Sequence, residues 1–289
     1  MTALDMLRRK APSWLALARR EIGPIAVVLG VGFLLLTFRN IAEEVGEGDT
    51  HRLDNLIIYA LRLPGHPETP IGPAWLTTAL TDLTSLGSIT VLSIIVILVS
   101  GLVFSIGRVR EGSVLLAASI GGMMLTGLLK DVFQRDRPPM ILHLVPAVNA
   151  SFPSGHATLS ATVYLTLGAL IAHFAQKRRV RVYALTAAVV LAVTVGCSRV
   201  YLGVHWPTDV LAGWCVGAAW ALACWGAALA WERMAHKRLT TAPGGGDVDP
   251  EASDDHVRAG SDGRAVAASS GSGLAGTRKV RAPRRQGGG

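Results

Sequence analysis

Three short polar clusters interrupt a chain that is otherwise mostly apolar. The first runs Lys130-Asp131-Val132-Phe133-Gln134-Arg135-Asp136-Arg137-Pro138-Pro139. Lys130 and Arg137 are seven apart, about two helical turns, so a helix that persisted would present both on one face toward a single anion. Pro138 blocks any continuation. The second cluster, Ser151-Phe152-Pro153-Ser154-Gly155-His156, directly precedes an apolar run. Ser154 is a natural N-cap, Gly155 lets a ligand approach the backbone, and the free amides of such a helix start bind anions. His156, in the first turn, is placed to donate a proton there. The third cluster runs Ser198-Arg199-Val200-Tyr201-Leu202-Gly203-Val204-His205-Trp206-Pro207-Thr208-Asp209. Pro207 suits a first helical position, which sets His205 just ahead of a helix and Asp209 within its first turn, close enough to reach the imidazole. A carboxylate on one ring nitrogen fixes the tautomer and leaves the other nitrogen as nucleophile or base.

Taken singly, each cluster has an ordinary structural reading: interfacial basic residues, a capped helix, and a His–Asp pair four apart. Taken together they assemble two histidines (His156, His205), one aspartate (Asp209), three cations (Lys130, Arg137, Arg199) and a helix N-terminus at Ser154 and Gly155. Arginine forks suit the equatorial oxygens of a phosphoryl group in transfer. No group of carboxylates or His/Cys ligands indicates a metal, so the expected cofactor list is empty. The chemistry this set supports is metal-free phosphoryl transfer through a histidine.

These residues need a scaffold, and the composition says which kind. Of 289 residues 50% are hydrophobic and only 17% charged, with a mean hydropathy of +0.41, against roughly 25% charged in soluble proteins. Apolar runs near the 20 residues needed to cross a bilayer fall at 23–38, 88–107, 112–129, 157–175, 182–198 and 208–231. The expectation is an all-α integral membrane bundle of six transmembrane helices, the first, at 23–38, short and reading as an uncleaved signal anchor. Cys197, Cys215 and Cys224 lie in apolar runs without CxxC spacing and are expected to be buried, reduced packing residues.

The net charge of +8 is better explained by topology than by nucleic acid, because the basic residues sit between apolar spans instead of interleaving with aromatics. Every second connection is basic: Arg8 to Arg20, Arg108 and Arg110, Lys177 to Arg181, and Arg233 to Arg238. The positive-inside rule then puts both termini in the cytoplasm and 39–87, 130–156 and 199–207 outside. Lys130, Arg135, Arg137 and Arg199 fall on that outer side against the rule, which calls for a local reason. Within 39–87 two amphipathic segments, Leu53–Leu63 and Trp75–Leu86, flank the Pro/Gly-rich stretch Pro64–Pro73 and are expected as short interfacial helices. They either cap the bundle or control lipid access. From residue 241 the composition turns to Gly, Ala, Ser, Asp and Arg, expected as a disordered cytoplasmic tail. The expected domains are thus a cytoplasmic segment at 1–22, the membrane domain at 23–240 and the tail at 241–289.

The patterns Lys-x6-Arg-Pro, Pro-Ser-Gly-His and Ser-Arg-x5-His-x3-Asp resemble, without departure, the tripartite signature of the type 2 phosphatidic acid phosphatase superfamily, over roughly residues 20–235. The resemblance implies a six-helix membrane bundle that acts on a lipid phosphate without a divalent metal. By the same resemblance His205 is the nucleophile that forms a phosphohistidine, oriented by Asp209, and His156 is the acid that protonates the leaving oxygen. Lys130, Arg137 and Arg199 resemble the phosphate clamp, assisted by Ser154 and the amide of Gly155. Vanadate-dependent haloperoxidases share the pocket but resemble soluble proteins, and lipid phosphotransferases of the superfamily share the motifs. The expected partners are a lipid phosphate or diphosphate (phosphatidic acid, phosphatidylglycerophosphate, undecaprenyl diphosphate) and the plasma-membrane bilayer, with the oligomeric state left open. A lipid-phosphate transporter is the reading from another class, but the chain shows no convincing internal repeat.

Overall fold

The computed structural model describes the backbone of residues 3–241 and the side chains of residues 23–234. The expected tail beyond residue 241, and the side chains of the expected segment 1–22, lie outside the described residues. Helix α1 (Ala3–Glu47) leads to α2 (His51–Ala60), a two-residue strand β1 (Arg62–Leu63) and β2 (His66–Pro70). Then follow α3 (Ala74–Ser85), α4 (Ile89–Ser105), α5 (Val109–Phe133), α6 (Gly155–Phe174), α7 (Arg178–Tyr201) and α8 (Pro207–Thr241). Five segments are long and apolar enough to cross a membrane: Gly23–Glu47, Val109–Phe133, Gly155–Phe174, Arg178–Tyr201 and Pro207–Met234. The helices α3 and α4 meet that test only together, across a bend of 48°, which brings the count to as many as six.

Several expectations need correction. The first apolar helix does not stop at residue 38 but continues to Glu47. The all-α class carries one exception, an antiparallel ribbon pairing Arg62 with Pro70 and Leu63 with His66 inside the Pro/Gly-rich stretch. The cysteines are not buried: Cys197 is exposed and Cys215 and Cys224 are intermediate, all three as free thiols. Exposure of Cys197 in an apolar run costs little when lipid is the neighbour.

In α2 the periodicity named the outer face. Leu53, Leu56 and Ile57 are exposed, whereas Asp54 and Ile58 are fully buried. A carboxylate on the inward face of a short helix can persist only if it is paired. In α3 the inner face is the expected one, with Leu76 and Leu80 packed against Tyr201, Leu202 and Val204. The elbow between α3 and α4 is fixed from both sides. Tyr164 Oη donates to the Leu86 carbonyl at 2.7 Å, and the Ser88 side chain caps α4 by accepting from the Val91 amide at 3.3 Å.

Helix α6 is the hub. Its Thr158, Ser160, Thr162 and Thr166 are buried, and it packs on α4, α5 and α7. Small residues permit this approach: a Cβ at Gly213 would stand 2.9 Å from Ala157 Cβ and from the Ser154 carbonyl. Helix α8 is tied laterally by Trp214 Nε1 donating to the Ala192 carbonyl of α7 at 3.0 Å and Trp220 Nε1 to the Ala118 carbonyl of α5 at 2.9 Å. At the end where α5 and α1 meet, Phe152 is fully buried between Phe38 (centroids 5.9 Å apart) and Phe133 (4.9 Å). This aromatic trio holds the loop that carries Ser151 and Ser154. Truncation by Phe152→Ala is expected to cost about 3–5 kcal/mol, the usual range for a buried Phe, read as a lowered Tm of the detergent-purified protein.

Candidate active site

The three polar clusters converge at one end of the bundle, around a cleft of about 420 Å³. Lys130, Arg137, Gly155, His156, Arg199 and His205 all line it. The first cluster does so in an unexpected way. Helix α5 ends at Phe133 because Gln134 takes the left-handed conformation (φ 44°), its amide still bonded to the Lys130 carbonyl at 3.0 Å. Arg137 therefore does not share a helix face with Lys130 but reaches the same cleft from the following loop. Its Nε donates to the Asn149 carbonyl at 2.9 Å, Nη2 to Val148 at 2.8 Å and Nη1 to Val204 at 2.6 Å. Lys130 Nζ donates to the Ala150 carbonyl. Two cations are thus aimed by backbone carbonyls, and among the described residues neither forms an ion pair with a carboxylate.

The second cluster behaves as its residue types require. Ser154 is the N-cap of α6, its hydroxyl accepting from the Ala157 amide at 3.5 Å, with Gly155 and His156 opening the first turn. The third cluster couples to it, since the Ser154 amide donates to the Asp209 carbonyl at 3.0 Å. Arg199, in the last turn of α7, is buried and donates from Nη1 to Thr84 Oγ1 at 3.2 Å, and among the described residues its Nε has no partner. A half-satisfied buried guanidinium at a cleft wall favours an anion.

His205 is buried between the two chemistries. Its Nδ1 lies 3.4 Å from Asp209 Oδ2 and its Nε2 3.2 Å from Arg137 Nη1. A guanidinium can only donate, so Nε2 accepts and the ring proton resides on Nδ1, facing the carboxylate. The nitrogen turned to the cleft is thus the unprotonated one, its lone pair facing Arg137. Burial pushes the His205 imidazole down to about 4, the facing Asp209 opposing this and Arg137 and Arg199 reinforcing it. Burial also lowers the Arg137 guanidinium.

Three neighbours of this pair were missed by sequence reasoning. Ser151 Oγ donates to Asp209 Oδ2. Arg135 Nη1 donates to Asp209 Oδ1 at 2.6 Å, and Arg135 Nη2 reaches Asp54 Oδ2 of α2 at 2.7 Å. Ser151 and Arg135 lie inside the quoted clusters, and Arg135 carried a signal as a cation standing against the charge rule. Asp54 carried none, because its partners are distant in the chain.

The chain is similar to known membrane phosphatases. The model of the PAP2 superfamily matches residues 111–233. Phosphatidylglycerophosphatase B of Bacillus subtilis (strain 168) is 36% identical over 187 residues, covering 64% of this chain and 87% of that protein. An undecaprenyl-diphosphatase of Sulfolobus acidocaldarius is 32% identical over 126 residues, 42% of this chain and 57% of that one. The crystal structure of a transmembrane PAP2 type phosphatidylglycerolphosphate phosphatase from Bacillus subtilis superposes with a TM-score of 0.61 at 30% identity, covering 68% of this chain and 94% of that chain.

The fold selects neutral His205, so its stabilising contribution is complete above pH 6.5 and is lost as the pH falls from 6.5 toward about 4. For this group alone about 2 kcal/mol should disappear by pH 5. The wild-type Tm is expected to drop further between pH 7.5 and pH 5 than that of His205→Asn, which retains a side-chain donor for Asp209.

Proposed function

We propose, for a chain that belongs to the PAP2 superfamily and is a multi-pass membrane lipid phosphatase, that it removes the terminal phosphate of a lipid phosphate or diphosphate through a phosphohistidine on His205. The observation that carries this reading is the placement of the His205 ring: Nδ1 faces Asp209, and Nε2 faces Arg137 in a cleft walled also by Lys130 and Arg199. Nε2 attacks phosphorus, the bond from phosphorus to the lipid oxygen breaks, and His156 protonates that oxygen. Water, deprotonated by the now neutral His156, then attacks the phosphohistidine and releases phosphate and free His205. Lys130, Arg137, Arg199 and the α6 N-terminus at Ser154 and Gly155 carry the charge on the equatorial oxygens. This set meets the phosphoryl charge with cations and amides and asks nothing of a divalent ion.

The substrate class follows from what adjoins the cleft. An apolar groove of about 240 Å³ runs between α4, α5 and α6, walled by Leu92, Val96, Leu116 and Ile120. Ile89, Met123 and Leu159 line both groove and cleft, so a head group at His205 has an apolar path beside it for its chain. Phosphatidylglycerophosphate, phosphatidic acid and undecaprenyl diphosphate all fit this description. The reading further holds that the chain crosses the plasma membrane six times, with α3 lying at the outer interface as a continuation of α4. Both termini are then cytoplasmic, with the tail from residue 241 solvated, and the site faces outward. Support comes from the basic loops after α4 and α6 and from Arg233 in the later part of α8, which lie at the end opposite the cleft. There Arg108 stacks over Phe174 and Arg110 pairs with Glu232. An outward site favours an isoprenyl diphosphate carrier.

The test is phosphate release by detergent-purified protein from undecaprenyl diphosphate and phosphatidic acid in EDTA, with His205→Ala as control. Release that persists in EDTA and vanishes in the variant is expected; undiminished release by His205→Ala would sink the phosphohistidine. Separately, Met123→Trp should fill the junction of groove and cleft. It is expected to raise KM for a long-chain phosphatidic acid by about tenfold, roughly the 1.4 kcal/mol of a tenfold change, while KM for a water-soluble phosphomonoester stays within about twofold. Equal effects on both substrates would exclude the groove as the chain site.

A further inference from the structure

The polar network behind the cleft extends past the residues that face it. Asp54 of α2 is fully buried and both of its carboxylate oxygens are hydrogen-bonded. Oδ1 accepts from the Thr208 amide at 3.1 Å, and Oδ2 from Thr208 Oγ1 and Arg135 Nη2, each at 2.7 Å. Arg135 uses its other arm on Asp209 Oδ1 at 2.6 Å and Thr208 Oγ1 at 2.8 Å, with Thr50 Oγ1 also within 3.1 Å of Nη2. Its guanidinium carbon stands 5.8 Å from the Trp206 ring centroid. One rigid fork therefore bridges two buried carboxylates from different helices, one of which touches His205.

The two oxygens of Asp209 have separate duties. Oδ2 receives Ser151 Oγ, the Trp206 amide at 2.9 Å and His205 Nδ1. Oδ1 is held by Arg135. A carboxylate pinned through one oxygen alone can rotate about its χ2 torsion, which is broad and shallow; pinned through both, its plane is set. Resting on the roles assigned above to His205 and Asp209, we propose that Arg135 and Asp54 are a positioning pair for the phosphatase reaction. The guanidinium fork, seated on Asp54, sets the plane of Asp209 so that Oδ2 meets the imidazole. Helix α2, which contributes nothing to the cleft wall, thereby becomes necessary for the chemistry. A lysine at 135 would keep the charge but has no second arm in fixed geometry.

The charged and titratable groups facing the Asp209–His205 pair are Arg135 and Arg137 from the loop after α5, Lys130 of α5, His156 of α6, Arg199 of α7 and, through Arg135, Asp54 of α2. Only the first and last change in the variants. The experiment measures kcat, KM and the acid limb of kcat/KM for short-chain phosphatidic acid with full-length Arg135→Gln, Arg135→Lys and Asp54→Asn. All three should lower kcat at least about tenfold with KM within about threefold, because transition-state alignment is lost and phosphate binding is not. The acid limb should move up in Arg135→Gln, where a cation beside the pair is gone, and down in Asp54→Asn, where Arg135 is less neutralised. Arg135→Lys, which keeps the charge but loses the fork, should lose kcat with its acid limb in place, a pattern that neither a lost charge nor a lost fold produces.

Wild-type kcat in Arg135→Lys or Asp54→Asn would overturn the pair, as would losses that track the unfolded fraction while the acid limb stays put in Arg135→Gln and Asp54→Asn. Should Arg135→Gln not fold, the other two variants decide the matter. His205→Ala separates the levels. If that variant is active, the underlying reading fails, whereas a dead His205→Ala beside normal Arg135 and Asp54 variants removes only the positioning pair.

Discussion

The Asp209 carboxylate is the interaction on which the rest of the site depends. It is fully buried, and an ionised carboxylate taken out of water survives only when hydrogen bonds replace its hydration. Four side chains or amides do so: Arg135, Ser151, the Trp206 amide and His205. They come from two connections, Arg135 and Ser151 from the one between α5 and α6 and His205 and Trp206 from the one between α7 and α8. Satisfying one buried charge therefore draws both connections to one point. The backbone carbonyl of Asp209 adds the start of α6, accepting from the Ser154 amide.

That convergence is possible only because the helices approach closely. Between α6 and α8 the contact is made over Gly213 against Ala157 and the Ser154 carbonyl, and Thr162 Oγ1 donates to the Gly217 carbonyl at 3.3 Å. Small and hydroxylated residues do in this bundle what large aliphatics do in a water-soluble core, because apolar area offers little advantage where the surroundings are themselves apolar. A side chain at Gly213 would press on the turn that presents Ser154 and Gly155 to the cleft. Packing of the spans and placement of the anion site are for this reason one problem.

Legibility from sequence divides along the distance between partners. The Ser154 cap and the reach of Asp209 to His205 are interactions within four residues, and local residue types declare them. The Arg135–Asp54 pair spans 81 positions, and nothing near Asp54 announces it. The α2 periodicity named Leu53, Leu56 and Ile57, which point outward, since in a membrane protein the apolar face need not be the inward one. The end of α5 was hidden for another reason: a glutamine, rather than a glycine or asparagine, occupies the left-handed position at 134. The bend between α3 and α4 was likewise invisible, because what fixes it is Tyr164, a residue 78 positions beyond Leu86.

The cations that break the positive-inside pattern can now be accounted for individually. Arg135 is neutralised by two carboxylates, so it presents no free charge to the membrane field. Lys130 and Arg137 are held by the carbonyls of residues 148–150 and Val204, and Arg199 by Thr84, so these three keep their charge and concentrate it in one cleft. With Asp209 already bonded to Arg135, Lys130, Arg137 and Arg199 form no ion pair of their own among the described residues. A rule that counts charges in short loops treats every lysine and arginine as solvated. Residues committed to a buried pair or an anion site are not, and in this chain that difference separates the site end of the bundle from the opposite end, where Arg178, Arg179 and Arg181 lie exposed.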